Sequence, residues 1–173
     1  MVEEHVGLVT FKGNPLTLVG RRVAIGEKAP DFTVLRRDLT TLSFQELQGK
    51  VVVINAVPSL DTPVCAIQTR TFNQRSSELG DDVRVLVISM DLPFAQGRFC
   101  ATEGIAQLEV LSDHREASFG LAYGLLIKEL RLLARAVLVV DRKGMVSYQE
   151  LVPEMAQEPN YEAAIKAAKA ALA

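Results

Sequence analysis

The chain has 173 residues, of which 49% are hydrophobic and 23% charged, as in an ordinary globular protein. Lys and Arg number 19 and Asp and Glu number 21, so the net charge is −2 and no basic face for nucleic acid is expected. The longest apolar runs, at residues 51–54 and 136–140, are far shorter than the roughly 20 residues that cross a bilayer, and the acidic start lacks signal-peptide character. The sequence therefore predicts a cytoplasmic protein with neither nucleic acid nor membrane as a partner.

The first 50 residues contain two local patterns. Residues 8–11 and 16–19 are short β-rich runs on either side of a Gly-Asn-Pro turn, which predicts an N-terminal β-hairpin at the periphery of the fold. Further along, Ser43 and Glu46 have the spacing of a capping box, in which each side chain binds a free backbone N–H of the other residue. A short helix is therefore predicted from Ser43 to Gly49.

The middle of the chain alternates between strand and helix patterns. Buried strands are predicted from the apolar runs at residues 51–54, 83–88 and 136–140. Helices of crossover length, each followed by a glycine, are predicted at residues 62–79, 93–103 and 115–123. This alternation predicts an α/β fold and, because no linker or repeat interrupts it, one domain over residues 1–173.

The C-terminal part adds a strand and a helix. Residues 145–151 follow a turn at 141–144 and should pair with the preceding strand as an antiparallel hairpin, so the central sheet is predicted to be mixed. Asn160 is a favourable cap for a last helix, whose apolar face includes Tyr161 and Ile165. This helix is expected to pack through that face.

The two cysteines, Cys65 and Cys100, are too few for a disulfide scaffold, and with His5 and His114 as the only histidines they form no zinc-binding pattern. For an arbitrary buried cysteine, an inert place in the core is the better expectation. His114, beside Asp113, is expected to be structural or solvated. No phosphate-binding glycine motif occurs, and no bound cofactor is predicted.

The local context of Cys65 favours a reactive thiol. The residue follows the first central strand, and Thr62 is a favoured helix N-cap with Pro63 suited to the first helical position. Cys65 should then lie in the first turn, where free backbone N–H groups and the helix dipole favour a thiolate at neutral pH. Because Phe72 and Leu79 follow at heptad spacing, the sulfur should face the protein body and be a sheltered nucleophile.

Several motifs resemble those of the peroxiredoxins. Pro58, Thr62 and Cys65 match the P-x-x-x-T-x-x-C signature of that family, while Gln68 stands where a thioredoxin-type dithiol would have its second cysteine. Further segments that resemble the bacterial thiol peroxidase branch lie at residues 12–15, 91–96, 98–100, 134–137 and 158–161. The resemblance covers nearly the whole chain and implies a thioredoxin-like fold, with a central mixed β-sheet flanked by helices and an N-terminal β-hairpin.

The resemblance also implies roles for five residues. Cys65 would be the peroxidatic cysteine, Thr62 a hydrogen-bonding partner of thiolate and peroxide, and Pro58 the residue that shields the sulfur. Arg135 would be the cation of the site, since its planar fork can bind sulfur and peroxide oxygens together, whereas an arbitrary Arg at a strand end is usually a solvated charge. Cys100 would be the resolving cysteine, which closes an intramolecular disulfide. Hydroperoxide as substrate, thioredoxin as reductant and a homodimer are likewise implied.

Disulfide closure requires the two cysteines to approach each other. A core strand separates them, so in the reduced fold we expect them to be too far apart for the roughly 4.4–6.8 Å Cα separation of a disulfide. Gly97 and Gly104 weaken the helix that begins at Pro93, which predicts that residues 93–104 unravel on oxidation. The alternative is that Gly97 only permits close helix packing.

Three functions are compatible with these features. The first is a thioredoxin-dependent peroxidase that reduces hydrogen peroxide and alkyl hydroperoxides. The second is a peroxide-sensing thiol oxidant that passes oxidation to a partner protein, and the third is a non-catalytic thioredoxin-fold module with inert cysteines. The environment of Cys65 favours the first over the third. One departure from the family pattern is the segment at residues 125–133, which contains neither Gly nor Pro.

Overall fold

The computed structural model describes all residues from Met1 to Ala173. The strands are β1 (Glu4–Phe11), β2 (Asn14–Val19), β3 (Thr33–Leu35), β4 (Thr41–Ser43), β5 (Val51–Ala56), β6 (Val83–Ser89), β7 (Glu109–Ser112), β8 (Leu126–Ile127), β9 (Leu132–Leu133), β10 (Ala136–Val140) and β11 (Val146–Leu151). The helices are α1 (Pro63–Arg75), α2 (Pro93–Glu103), α3 (Ser118–Tyr123) and α4 (Tyr161–Ala171), with short 3-10 turns at Phe44–Leu47 and Ser76–Glu78. None of the helices combines the length and apolarity needed to cross a membrane.

The central sheet has seven strands in the order β11-β10-β5-β6-β7-β3-β4. Strands β5, β6 and β7 run parallel, whereas β10 is antiparallel to both β5 and β11, so the predicted mixed sheet is confirmed. Every residue of β5 and of β10 is buried, because both faces of the sheet are covered. The three apolar runs of the sequence thus occupy the middle of the sheet.

Two hydrophobic clusters cover the two faces of this sheet. One contains apolar side chains of α1, α2 and α4, including Cys65, Phe72, Cys100 and Ile165. The other contains α3, the N-terminal hairpin and the aromatic side chain of Phe32. The functional cysteines predicted from the sequence therefore lie on the same face of the sheet.

The predicted N-terminal hairpin is confirmed. The prediction that it lies at the periphery is wrong for its inner face, which is buried. Strands β1 and β2 join β8 and β9 in a second sheet, and Val9 and Leu18 are almost fully buried in a core cluster. The hairpin turn is anchored by the carboxylate of Glu154, which accepts hydrogen bonds from Thr10 Oγ1 (2.6 Å) and Lys12 N (3.0 Å). Apolar residues on one face of the hairpin explain this burial.

Helix ends follow the capping chemistry of the sequence, with one correction. The capping box of Ser43 and Glu46 is present and opens a 3-10 turn. The third predicted helix begins at Ser118 rather than at residue 115, because Ala117 has a left-handed φ of 53° and ends any helical path before it. The carboxylate of Asp113 then accepts hydrogen bonds from the first-turn amides of this helix.

Candidate active site

Cys65 lies in the first turn of α1, where the sequence predicts it. The helix follows β5 through a short loop, begins at Pro63 with Thr62 as its N-cap residue, and buries the Cys65 side chain completely. The Thr62 side chain is exposed and does not cap the helix; its hydroxyl donates to Ser59 O (2.9 Å). The hydroxyl oxygen keeps lone pairs that can accept a further hydrogen bond.

Arg135 lies against the sulfur of Cys65. Its side chain is 2% exposed, and Nη2 donates to Cys65 Sγ at 3.3 Å. The same guanidinium donates through Nε (3.1 Å) and Nη2 (2.8 Å) to the carbonyl of Met155, and through Nη1 (2.8 Å) to Gln68 Oε1. A fixed cation at this distance stabilises negative charge on sulfur or on a bound oxygen. Arg135 is thus not a solvated charge.

Gln68 belongs to this site and was missed by the sequence reasoning, which used it only to exclude a dithiol. It is fully buried, accepts from Arg135 and donates through Nε2 to Asn55 Oδ1 (3.3 Å). Asn55 in turn donates to the carbonyl of Leu86 (3.2 Å), which ties the network to β6. One feature of the sequence could have identified it: a polar residue three positions after Cys65 shares the buried helix face.

The loop between β5 and α1 is held by the carboxylate of Asp91. This carboxylate accepts hydrogen bonds from Ser59 Oγ (2.7 Å) and Leu60 N (2.8 Å) in the loop, and from Ser89 Oγ (2.7 Å) at the end of β6. Pro58, at the start of the loop, is buried. Asp91 directly precedes the N-cap of α2, so it connects the loop before Cys65 with the helix that carries Cys100.

Cys100 is buried in α2, with 4% of its side chain exposed, and both cysteine thiols are free. Burial raises the pKa of the Cys100 thiol, and the positive charge of Arg37 acts in the opposite direction. One turn earlier, Gln96 donates to Ser89 Oγ (3.0 Å) and to the carbonyl of Leu111 (2.7 Å), which fixes α2 to the sheet. The structure thus brings Cys65 and Arg135 into direct contact, whereas Cys100 lies in a separate helix, α2.

The remaining sequence candidates lie elsewhere. His114 is half-buried, and its neighbour Asp113 serves the first turn of α3; burial raises the pKa of Asp113 to about 6. A cleft of about 750 Å³ lies at the opposite end of the central sheet, between Val52, Val140 and Phe44, and no predicted site residue lines it. Cys65 and Arg135 lie away from this cleft, at the end of the sheet at which β5 leads into α1.

The mixed sheet, its flanking helices and the N-terminal hairpin define a thioredoxin-like protein, with a buried thiol and a buried guanidinium in contact at one end of the sheet. The Redoxin family model matches residues 24–165. Two curated relatives are thiol peroxidases: that of Listeria innocua is 57% identical over 94% of this chain and 98% of its own length, and that of Bacillus subtilis is 56% identical over 94% and 96%. A solved peroxiredoxin-like protein from Aquifex aeolicus superposes with a TM-score of 0.89 at 42% identity, over 96% of this chain and 99% of its own.

The chain belongs to the Redoxin family and, within it, to the thiol peroxidases. The resemblance derived from Pro58, Thr62 and Cys65 is thereby confirmed, as is the thioredoxin-like α/β fold. The relatives indicate a peroxidase enzyme.

Proposed function

We propose that this chain is a thioredoxin-dependent thiol peroxidase that reduces hydrogen peroxide and alkyl hydroperoxides through Cys65. The observation that carries the proposal is the 3.3 Å contact between Arg135 Nη2 and Cys65 Sγ, both inside the protein. A buried guanidinium with no carboxylate partner destabilises the fold through its lost hydration unless it stabilises an anion. Here the Cys65 sulfur is the group placed to become that anion. The membership of the thiol peroxidases supports the same reaction.

In the first step the Cys65 thiolate attacks the nearer peroxide oxygen. A sulfur–oxygen bond forms, the oxygen–oxygen bond breaks, and the second oxygen leaves as hydroxide or alkoxide and takes up a proton. Arg135 stabilises the negative charge as it moves from sulfur to the leaving oxygen, and the Thr62 oxygen accepts a hydrogen bond from the peroxide. Pro58, buried at the start of the loop, shields the sulfur from water.

In the second step Cys100 resolves the sulfenic acid formed on Cys65. A disulfide between the two sulfurs forms, the sulfur–oxygen bond breaks and water leaves. Thioredoxin then reduces the disulfide.

We further propose that the enzyme is a single domain and that it works in the cytoplasm, where thiol reductants keep cysteines reduced. We also propose a homodimer that covers Leu92 and Phe94, two large apolar side chains that are 53% and 69% exposed at the start of α2.

The test is mass analysis of the reduced protein after one equivalent of hydrogen peroxide. We expect rapid loss of two hydrogens with a linked Cys65–Cys100 peptide, and a sulfenic acid trapped on Cys65 in the Cys100→Ser variant. Cys65→Ser should leave Cys100 unoxidised on the same time scale. Thiols that survive peroxide, or oxidation of Cys100 before Cys65, would refute the mechanism.

Turnover separates the peroxidase from a peroxide sensor. A peroxidase consumes many equivalents of hydroperoxide when thioredoxin, its reductase and NADPH are supplied, whereas a sensor stops after one oxidation until its own partner protein is present. Sustained NADPH consumption that is lost in both cysteine variants is the expected result. A single oxidation without turnover would instead favour the sensor.

A further inference from the structure

We propose that Arg37 is a positioning residue for the resolving step: its side chain lies beside α2 at Gly97 and stabilises the Cys100 thiolate that attacks oxidised Cys65. This inference rests on the proposed function, because it assigns a residue to the second half of that reaction. Arg37 belongs to none of the family motifs in the sequence.

The first observation is the position of the Arg37 side chain. Arg37 lies in the turn between β3 and β4, and its Cδ is 4.0 Å from the point that a Cβ on Gly97 would occupy. Gly97 is one helical turn before Cys100, and side chains of a helix lean towards its N-terminus. The Cys100 thiol therefore leans towards the part of α2 beside which the Arg37 side chain lies.

The second observation is the charge environment of the thiol. Burial disfavours the thiolate of Cys100, and Arg37 is the charged residue that counteracts this effect. The Arg37 side chain is exposed and forms no ion pair with a carboxylate, whereas the neighbouring Arg36 pairs with Glu46. Other charged residues on α1, α2 and β7 do not act on this thiol: Glu103 pairs with Arg70, Glu109 pairs with Arg84, and Arg98 is not among the groups that shift the pKa of Cys100.

The chemistry of resolution requires a thiolate. The Cys100 thiol loses its proton to solvent, the thiolate attacks Cys65 sulfur, the new S–S bond forms as the S–O bond breaks, and hydroxide leaves and is protonated to water. Arg37 lies outside α2 and is close to it while the helix is folded, so it promotes deprotonation of the Cys100 thiol before the helix opens. When α2 opens, Cys100 reaches Cys65 as a thiolate.

The pH dependence distinguishes this role from packing. A lower thiol pKa raises the thiolate fraction but lowers the nucleophilicity of each thiolate. Removal of Arg37 should therefore slow disulfide closure at neutral pH and leave it equal or slightly faster at high pH, where the thiol is ionised in both proteins. A residue that acted only by packing would change the rate by one factor at all pH values.

The experiment is a single turnover of the reduced protein with one equivalent of hydrogen peroxide, quenched by alkylation and read by mass spectrometry from about pH 6 to pH 10. For Arg37→Gln we expect unchanged oxidation of Cys65, closure about fivefold slower at pH 7, and a pH midpoint for closure above that of the wild type. Arg37→Lys, which keeps the charge, should restore most of the rate.

Arg36→Gln is the matched control, because Arg36 is the adjacent arginine but binds Thr41 O and Glu46 instead. It should close at the wild-type rate. Wild-type behaviour of Arg37→Gln, a uniform change at every pH, or faster closure because the residue merely clamps α2, would each overturn the inference. Failure of the proposed function is distinguishable, since the wild-type protein itself would then form no Cys65–Cys100 disulfide.

Discussion

Gln68 Oε1 accepts a hydrogen bond of 2.8 Å from Arg135 Nη1, and both side chains are buried at the foot of α1. The amide thereby fixes the rotation of the guanidinium about its long side chain. The carbonyl of Met155 fixes it from the other side through two further hydrogen bonds. The contact between Arg135 and the Cys65 sulfur is therefore fixed by hydrogen bonds to neighbouring groups, the kind of preorganisation that electrostatic catalysis uses.

Replacement of Gln68 tests this arrangement. Gln68→Met keeps the length of the side chain but leaves Arg135 Nη1 and Asn55 Oδ1 without a buried partner. We expect a loss of about 1–3 kcal/mol in the free energy of unfolding and a rate of Cys65 oxidation about tenfold lower. Denaturant unfolding and rapid-quench oxidation measure the two effects. Gln74→Met, an exposed position on the same helix, should change neither; equal effects in both variants would contradict the assignment.

Arg135→Lys tests whether the planar fork matters beyond its charge. Lysine keeps the positive charge but offers a single nitrogen, so it cannot bind Gln68, Met155 and the sulfur in one plane. We expect peroxide reduction to fall about 100-fold, since the loss of one such donor costs about 10²–10³ in rate. The matched control is Arg142→Lys, an exposed arginine at the far end of the sheet. A rate within twofold of the wild type would show that charge alone suffices.

The sequence predicted the central strands, α2 and the place of Cys65 because those features depend on local chemistry. Continuous β-branched runs, a Thr-Pro start and a glycine stop are determined within a few residues. The predicted start of α3 was wrong because the left-handed conformation of Ala117 and the carboxylate of Asp113 determine where the helix begins. Neither feature can be detected in the hydrophobic periodicity of the segment.

The functional site divides in the same way. Pro58, Thr62 and Cys65 are neighbours in the chain, so a motif could identify them. Arg135 was assigned by resemblance alone, and Gln68 and Asp91 were given no role. Gln68 joins α1 to Asn55 on β5 and to Arg135, and Asp91 holds the loop before α1, both through residues distant in the sequence. Long-range hydrogen bonds of this kind have no spacing rule that a single sequence reveals.

Gly97→Ala tests whether α2 must open for resolution. A Cβ at this position meets only Arg37 Cδ at 4.0 Å, which is ordinary contact, so close packing does not explain the glycine. The alanine should stabilise the folded helix by about 1 kcal/mol and slow disulfide closure about fivefold. Ala101→Gly, at an exposed position of the same helix, should have the opposite effect. If neither substitution changes the rate of disulfide closure, opening of α2 does not limit that step.

Asp91→Asn tests the link between the loop before Cys65 and the start of α2. An amide cannot accept all three hydrogen bonds that the carboxylate accepts from Ser59, Leu60 and Ser89. We expect faster amide exchange in residues 59–65 and a rate of Cys65 oxidation about tenfold lower, because the first turn of α1 loses its fixed position. Asp61→Asn, an exposed carboxylate in the same loop, serves as control. Normal amide exchange together with normal oxidation would refute this role.

Asp113 should make stability depend on pH in the direction opposite to the usual carboxylate. Burial raises its pKa from 3.8 to about 6 in the folded protein, so between these values the folded state holds a proton that the unfolded state has released. The free energy of unfolding must then fall as pH rises through this window, by about 1 kcal/mol between about pH 5 and pH 6. Carboxylates whose pKa is lowered, such as Glu78 hydrogen-bonded to Arg75, act in the opposite direction, because the folded state releases their proton more readily than the unfolded state does.

Asp113→Asn should remove this slope, since an amide does not titrate, while costing about 1 kcal/mol at pH 5 through the loss of one hydrogen bond to α3. Urea unfolding at several pH values measures both effects, and Glu116→Gln, an exposed carboxylate three positions later, should keep the wild-type slope. A slope that persists in Asp113→Asn would assign the proton to another group. Because Asp113 lies outside the site around Cys65, peroxide reduction by the variant should remain at the wild-type rate while the protein is folded.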